Sequence, residues 1–167
     1  MVELFDISPF NWHSIAVALF CGGIIGLERQ VRGKPVGIRT ASLIILGTYL
    51  FVATSFLFSG QQVDTSRVIG QVITGVGFLG AGVMLAKDGA VVGVTSASTI
   101  WVLASLGVLI ACEHLGPAIK LSILVVMILY GVDLLEERTV LFSRGVHARV
   151  NRYREAKRSH KDRRQGE

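Results

Sequence analysis

Residues 68–86 read VIGQVITGVGFLGAGVMLA, nineteen positions without one Asp, Glu, Lys or Arg. Their reading decides the fold, because Gly75, Gly77 and Gly80 also satisfy the pattern G-x-G-x-x-G. A dinucleotide loop needs that pattern between a strand and a helix, with an acidic residue about twenty positions on. No strand precedes it here, no acid follows at that distance, and the glycines sit inside an uncharged run. A run of about 18 or more apolar, uncharged residues is instead a membrane span, since ~20 residues at 1.5 Å rise cross a hydrocarbon core of ~30 Å.

Three more stretches lack charge: residues 7–27, 40–63 and 89–112. The 167 residues suffice for one domain. They are 51% apolar and 17% charged, with a mean hydropathy of +0.56. Soluble domains carry about 25% charged residues, and disordered chains more. The sequence therefore predicts an all-α, polytopic integral membrane protein with five transmembrane helices. The spans fall at residues 11–27, 39–58, 67–86, 93–112 and 117–135, giving a transmembrane domain over 1–137 and a basic tail over 138–167. The fifth is the shortest in charge-free length, and Lys120 can snorkel from its end to the headgroups. Pro117 suits a first helical turn.

Basic residues set the orientation. The first loop holds Arg29, Arg32, Lys34 and Arg39, the third holds Lys87, and the tail from Arg138 holds ten more. Arg67 and Lys120 stand on the other side. Positive residues stay cytoplasmic, so the N-terminus is expected outside and the C-terminus in the cytoplasm. Glu3 and Asp6 ahead of the first apolar run argue against a secretory signal. From Arg138 to Arg164 the basic residues face only Glu155 and Asp162, and Phe142, Val146, Val150 and Tyr153 recur on one helical face. That pattern suits anionic lipid headgroups, at ~1 kcal/mol per basic residue, better than nucleic acid. Cys21 and Cys112 have no metal-ligand spacing and read as small buried hydrophobes.

Gly75, Gly77, Gly80 and Gly82 make a nearly side-chain-free strip, and Gly22 with Gly26 repeats the idea on the first span. In lipid, small residues let helix backbones approach closely. The same glycines could instead leave backbone carbonyls open to an ion or a moving helix. Glu28 at a helix end faces Arg29 beside it and Arg39 across a short loop. Ionised groups at membrane depth are costly unless paired, so Glu28 should pair with Arg29 or Arg39; the same group could form a cytoplasmic binding mouth. Asp64 can cap the third span, and Arg67 can reach Gln71 one turn on. Gln71, Thr74, Thr95, Ser96, Ser98 and Thr99 suit interhelical hydrogen bonds or a water path, and Thr40 closes the polar first loop. There is no Ser/His/Asp constellation, no H-E-x-x-H and no phosphate loop, so no enzyme activity and no cofactor are expected, and no metal ligands stand out.

The segment from Gly26 to Thr40, then Asp64-x-x-Arg67-x-x-x-Gln71, then the run from Gly75 to Gly82, then Gly93 through Thr95, Ser96 and Trp101, resembles the MgtC/SapB family. The likeness covers about residues 15–135. It implies a multi-pass bacterial inner-membrane protein of five helices, linked to Mg²⁺ homeostasis, to growth at low Mg²⁺ and, in some pathogens, to survival inside macrophages. The resemblance carries a Mg²⁺-transport label. It also implies an alternative, a non-transporting regulator that binds another membrane complex such as the F-type ATP synthase. Many members continue into a soluble C-terminal domain, in the place of which this sequence has its basic tail. Spans with small-residue faces seldom stay monomeric, so a homodimer or a complex with another membrane protein is expected.

Overall fold

The computed structural model describes residues 6–58, 64–87 and 90–138. Among these, α1 (Trp12–Val31), α2 (Ile38–Leu57), α3 (Thr65–Val83), α4 (Val94–Ala111) and α5 (Leu115–Arg138) follow one another. All five are long and apolar enough to cross a membrane. A short antiparallel ribbon, β1 (Leu85–Lys87) paired with β2 (Ala90–Val92), joins α3 to α4. The tail beyond Arg138, with the face proposed for Phe142 to Tyr153, lies outside the described residues.

The helix ends depart from expectation where local chemistry overrides hydropathy. α1 continues a full turn beyond Leu27 and takes Glu28 and Arg29 into the helix. It closes on Gly33, which adopts a left-handed φ of 63°. The Gly33 N–H donates to the Gln30 carbonyl at 3.1 Å and the Lys34 N–H to that of Arg29 at 2.9 Å. This paired closure satisfies carbonyls that a helix end otherwise leaves open. The Gln30 side chain then accepts from the Ile38 N–H at 3.4 Å, starting α2 where Gly37 has no side chain to do so.

α3 stops at Val83, three residues before the expected end, because Met84 turns extended and β1 begins. Gly93 makes the return possible. Its φ of 93° is open to glycine, and a Cβ there would run into the Val83 carbonyl oxygen. α5 begins at Leu115, ahead of Pro117, which still falls in the first turn. Cys21 is buried as expected, but Cys112 caps the end of α4 and is exposed.

Backbone contact organises the packing. A Cβ added to Gly22 would lie 2.6 Å from the Ser42 Cα, and one on Gly26 would lie 2.5 Å from the Ile38 Cα. On α4, a Cβ at Gly107 would meet the Thr48 Cβ at 2.6 Å and the Ile45 carbonyl oxygen at 2.7 Å. So α1 lies directly on α2, and α2 on α4. Around these crossings Ile25, Ile45, Val52, Ile100, Leu103 and Ile110 are buried. α5 lies along α1, with Ala118 and Ser122 fully covered. α3 rests mainly on α4 and buries only Val76 and Gly80.

Gly26→Ala and Gly107→Ala should each destabilise the bundle by ~1–3 kcal/mol, the usual penalty of overpacking. Gly77→Ala, at a site with nothing within 4 Å, should leave stability unchanged or slightly raised. Thermal unfolding of the three variants in mild detergent checks this ordering.

Candidate functional site

The last turn of α1 and its C-cap gather Glu28, Arg29 and Arg32, and Arg32 reaches α5, which contributes Asp133 and Tyr130. Arg32 is the centre. Its Nε lies 3.0 Å from Glu28 Oε1, one helical turn back. Its Nη1 donates to Asp133 Oδ2 at 2.9 Å, and its guanidinium carbon sits 4.8 Å above the Tyr130 ring centre. Arg29 Nη1 approaches Glu28 Oε2 at 3.7 Å. Only 3% of the Arg29 side chain and 6% of that of Glu28 are exposed, against 19% for Arg32.

Two carboxylates thus face two guanidinium groups, a neutral set that can be tolerated at the edge of a low-dielectric region. The neutrality is Coulombic more than geometric. Neither Glu28 oxygen receives a well-aligned hydrogen bond, and Arg29 Nε donates none. Arg39 is not part of the set. It is exposed, and Glu28 pairs with Arg29 and Arg32 instead. The i,i+4 spacing puts Arg32 on the same helix face as Glu28, whereas α2 leaves its contact with α1 to Ile38 and Ser42 and turns Arg39 away.

A second constellation lies between α2 and α3. A groove of about 750 Å³ runs there, with Thr40, Thr48, Arg67 and Gln71 as polar groups among apolar walls. Arg67 and Gln71 are both exposed and share this groove, but no hydrogen bond joins them among the described residues. Asp64 caps α3, accepting from the Ser66 N–H at 2.9 Å. Hydrogen bonds from Ser66 hold its carboxyl below the ordinary carboxylate range. The cap is therefore complete at neutral pH and weakens only as the pH falls through that lowered value.

The α4 hydroxyls serve their own helix. Ser98 donates to the Val94 carbonyl at 3.0 Å and Thr99 to that of Thr95 at 2.8 Å. Thr74 on α3 likewise donates to Gly70 at 2.9 Å. These are not the interhelical bonds that their residue types suggested. Ser96 is buried and Thr95 exposed. Trp101, 57% exposed, lines a smaller crevice of about 170 Å³ between α3 and α4. The residues singled out in the sequence therefore fall into separate regions. Asp133, Tyr130, Arg32 and Gly107 are additions, and the spacing of Glu28 to Arg32 was the one local signal for them.

The glycines also divide. Gly22 and Gly26 are contact points, and Gly80 meets Ala97 on α4 at an ordinary 3.7 Å. Gly75, Gly77 and Gly82 have nothing within 4 Å of an added Cβ. The strip on α3 is thus largely unused within this chain.

The family model described as the MgtC family matches residues 15–138. Escherichia coli (strain K12) YhiD, described as a candidate magnesium transporter, is 39% identical over 129 residues, covering 73% of this chain and 60% of YhiD. Protein MgtC of Brucella abortus (strain 2308) is 37% identical over 68% of this chain and 48% of its own length. Protein MgtC of Salmonella typhimurium (strain 14028s / SGSC 2262) is 33% identical over 75% and 53% respectively. The chain thus spans about half to three-fifths of these relatives. No solved structure matches it. The chain belongs to the MgtC family, and with its five apolar helices it is a bacterial membrane protein.

Asp133→Ala should cost about 1.5–3 kcal/mol, the range for hydrogen bonds to charged groups. Arg39→Ala, at an exposed site, should stay within about 0.5 kcal/mol of the parent. The double change Arg32→Ala with Asp133→Ala should cost less than the two single losses added together, because the partners are in contact. Detergent melting curves for the four variants test this; a larger loss from Arg39→Ala than from Asp133→Ala would overturn the assignment.

Proposed function

We propose that this MgtC-family chain serves Mg²⁺ homeostasis in the bacterial inner membrane, as a regulator that docks a partner helix and catalyses no reaction. The link to Mg²⁺ rests on the name of YhiD. Helical spans support an inner-membrane location, since spanning proteins of the bacterial outer membrane are typically β-barrels. The basic residues around Arg32 and beyond Arg138 favour a cytoplasmic C-terminus and an external N-terminus.

One observation carries the docking. Gly70, Thr74, Gly77 and Ala81 recur at intervals of four, three and four along α3, which sets them on one helical face. A Cβ on Gly70 or Gly77 would meet nothing within 4 Å, and Thr74 has folded its hydroxyl back onto Gly70. In lipid, such a strip lets a second backbone approach until dispersion and weak hydrogen bonds hold the pair. The occupant is a second copy or another membrane complex, of which the F-type ATP synthase is one.

Transport is the second reading, favoured by the description of YhiD. Mg²⁺ dehydrates reluctantly and takes oxygen-rich, usually acidic sites. Glu28 and Asp133, the carboxylates within the helices whose side chains are described, each lie against a guanidinium group. That pairing is why docking is preferred.

Liposomes holding the purified protein should pass no more Mg²⁺ than empty ones at several gradients; flux above that background would return the chain to the transporters. Cross-linking in native membranes should capture a partner that Gly77→Leu abolishes, with growth at low Mg²⁺ lost in parallel and the melting temperature unchanged. A lone chain unaffected by Gly77→Leu would overturn docking through α3.

A further inference from the structure

The groove between α2 and α3 lies on a different face of α3 from Gly70 and Gly77, and its chemistry is different. We infer that it is a binding site for one anionic phospholipid, with the phosphate at Arg67 and an acyl chain laid along the glycine floor. This inference does not depend on the docking role given to the other face.

Its shape is the first argument. Arg67 stands in the first turn of α3, Gln71 follows one turn on, and Gly75 and Leu79 continue the same wall. From Arg67 to Leu79 the helix rises about 18 Å, against about 15 Å for half of a ~30 Å hydrocarbon core. The groove is therefore as long as one leaflet is deep. The opposite wall is α2, where Leu43, Gly47 and Phe51 contribute. A Cβ on Gly47 or on Gly75 would meet nothing within 4 Å, so both walls are open where they are glycine. The volume of the open groove, about 750 Å³, lies within the range of small-molecule binding clefts.

Charge is the second argument. Among the described residues, Arg67 stands exposed at one end of the groove as its one charged lining group and makes no ion pair. Asp64, the carboxylate that feels its charge, is turned to the Ser66 N–H as the helix cap. A guanidinium matches phosphate oxygens with two parallel hydrogen bonds. Gln71, one turn deeper, adds an amide donor at the level of the glycerol esters. A zwitterionic headgroup brings its own ammonium to compete with Arg67. An anionic one does not, so the site should discriminate by net charge.

The test uses the purified full chain in mild detergent. Native mass spectrometry follows retention of palmitoyl-oleoyl phosphatidylglycerol and of phosphatidylcholine with the same chains. The parent should retain one phosphatidylglycerol about tenfold better than phosphatidylcholine. Arg67→Gln should abolish that preference, while Arg39→Gln, which removes a cation outside the groove, should not. Gly75→Leu should fill the groove and release both lipids at an unchanged melting temperature; Gly47→Leu approaches from the other wall if the first variant fails to fold. Equal retention of the two lipids by the parent, or full retention by both glycine variants, would overturn the site. Displacement of phosphatidylglycerol by inorganic phosphate alone would overturn the acyl-chain assignment. A lipid-free dimer that Gly75→Leu dissociates would show that a second copy fills the groove instead.

Discussion

Everything else in this bundle depends on three places where a glycine lets one helix press closely against the next. Gly22 and Gly26 set α1 against the backbone of α2, and Gly107 sets α4 against Thr48 and Ile45. In lipid there is no hydrophobic drive to press helices together, so close approach and the dispersion it brings must do the work. With α1, α2 and α4 so joined, α5 can lie along α1 and α3 along α4. The same contacts fix how each helix is rotated, and so which residues face lipid.

That rotation explains the ionic cluster at the end of α1. Arg32 reaches Asp133 because α5 packs on the face of α1 that carries Glu28 and Arg32. Arg39 sits on α2 just beyond the Gly26 crossing, and its direction is set by Ile38 meeting that glycine. A polar tie between the first and last helices closes the set at one end. Its charges balance, yet Glu28 has no well-aligned donor, so the tie holds by charge and burial more than by directional bonds.

The opposite property marks α3. A helix that buries only Val76 and Gly80 presents most of its surface to whatever surrounds the protein. Its small residues divide by angle into a strip at Gly70 and Gly77 and a groove wall at Gly75, and only the groove brings a charged group with it. A helix stabilised mainly by α4 can change its occupants without disturbing the glycine crossings. That separation of scaffold from surface is the feature that suits the regulator role proposed above.

How much of this was legible in the sequence varies with the kind of information. Five helices long and apolar enough to span were readable from hydropathy and charge placement, and the dinucleotide pattern could be set aside from its context, because immersion in lipid acts on each residue separately. The helix ends were less accessible: β1 and β2 replaced the expected end of α3, although Asp88-Gly89 between them is a dipeptide that favours tight hairpin turns. Glu28 with Arg32 was readable as an i,i+4 pair, but Asp133 lies a hundred residues away and nothing local pointed to it. Likewise Gly26 and Gly77 look alike in the sequence, and only packing shows the first pressed to a backbone and the second open. Solvent preference belongs to a single residue and survives in a list of residues. A contact belongs to two residues and to the angle between their helices, and that angle exists only once the bundle is built.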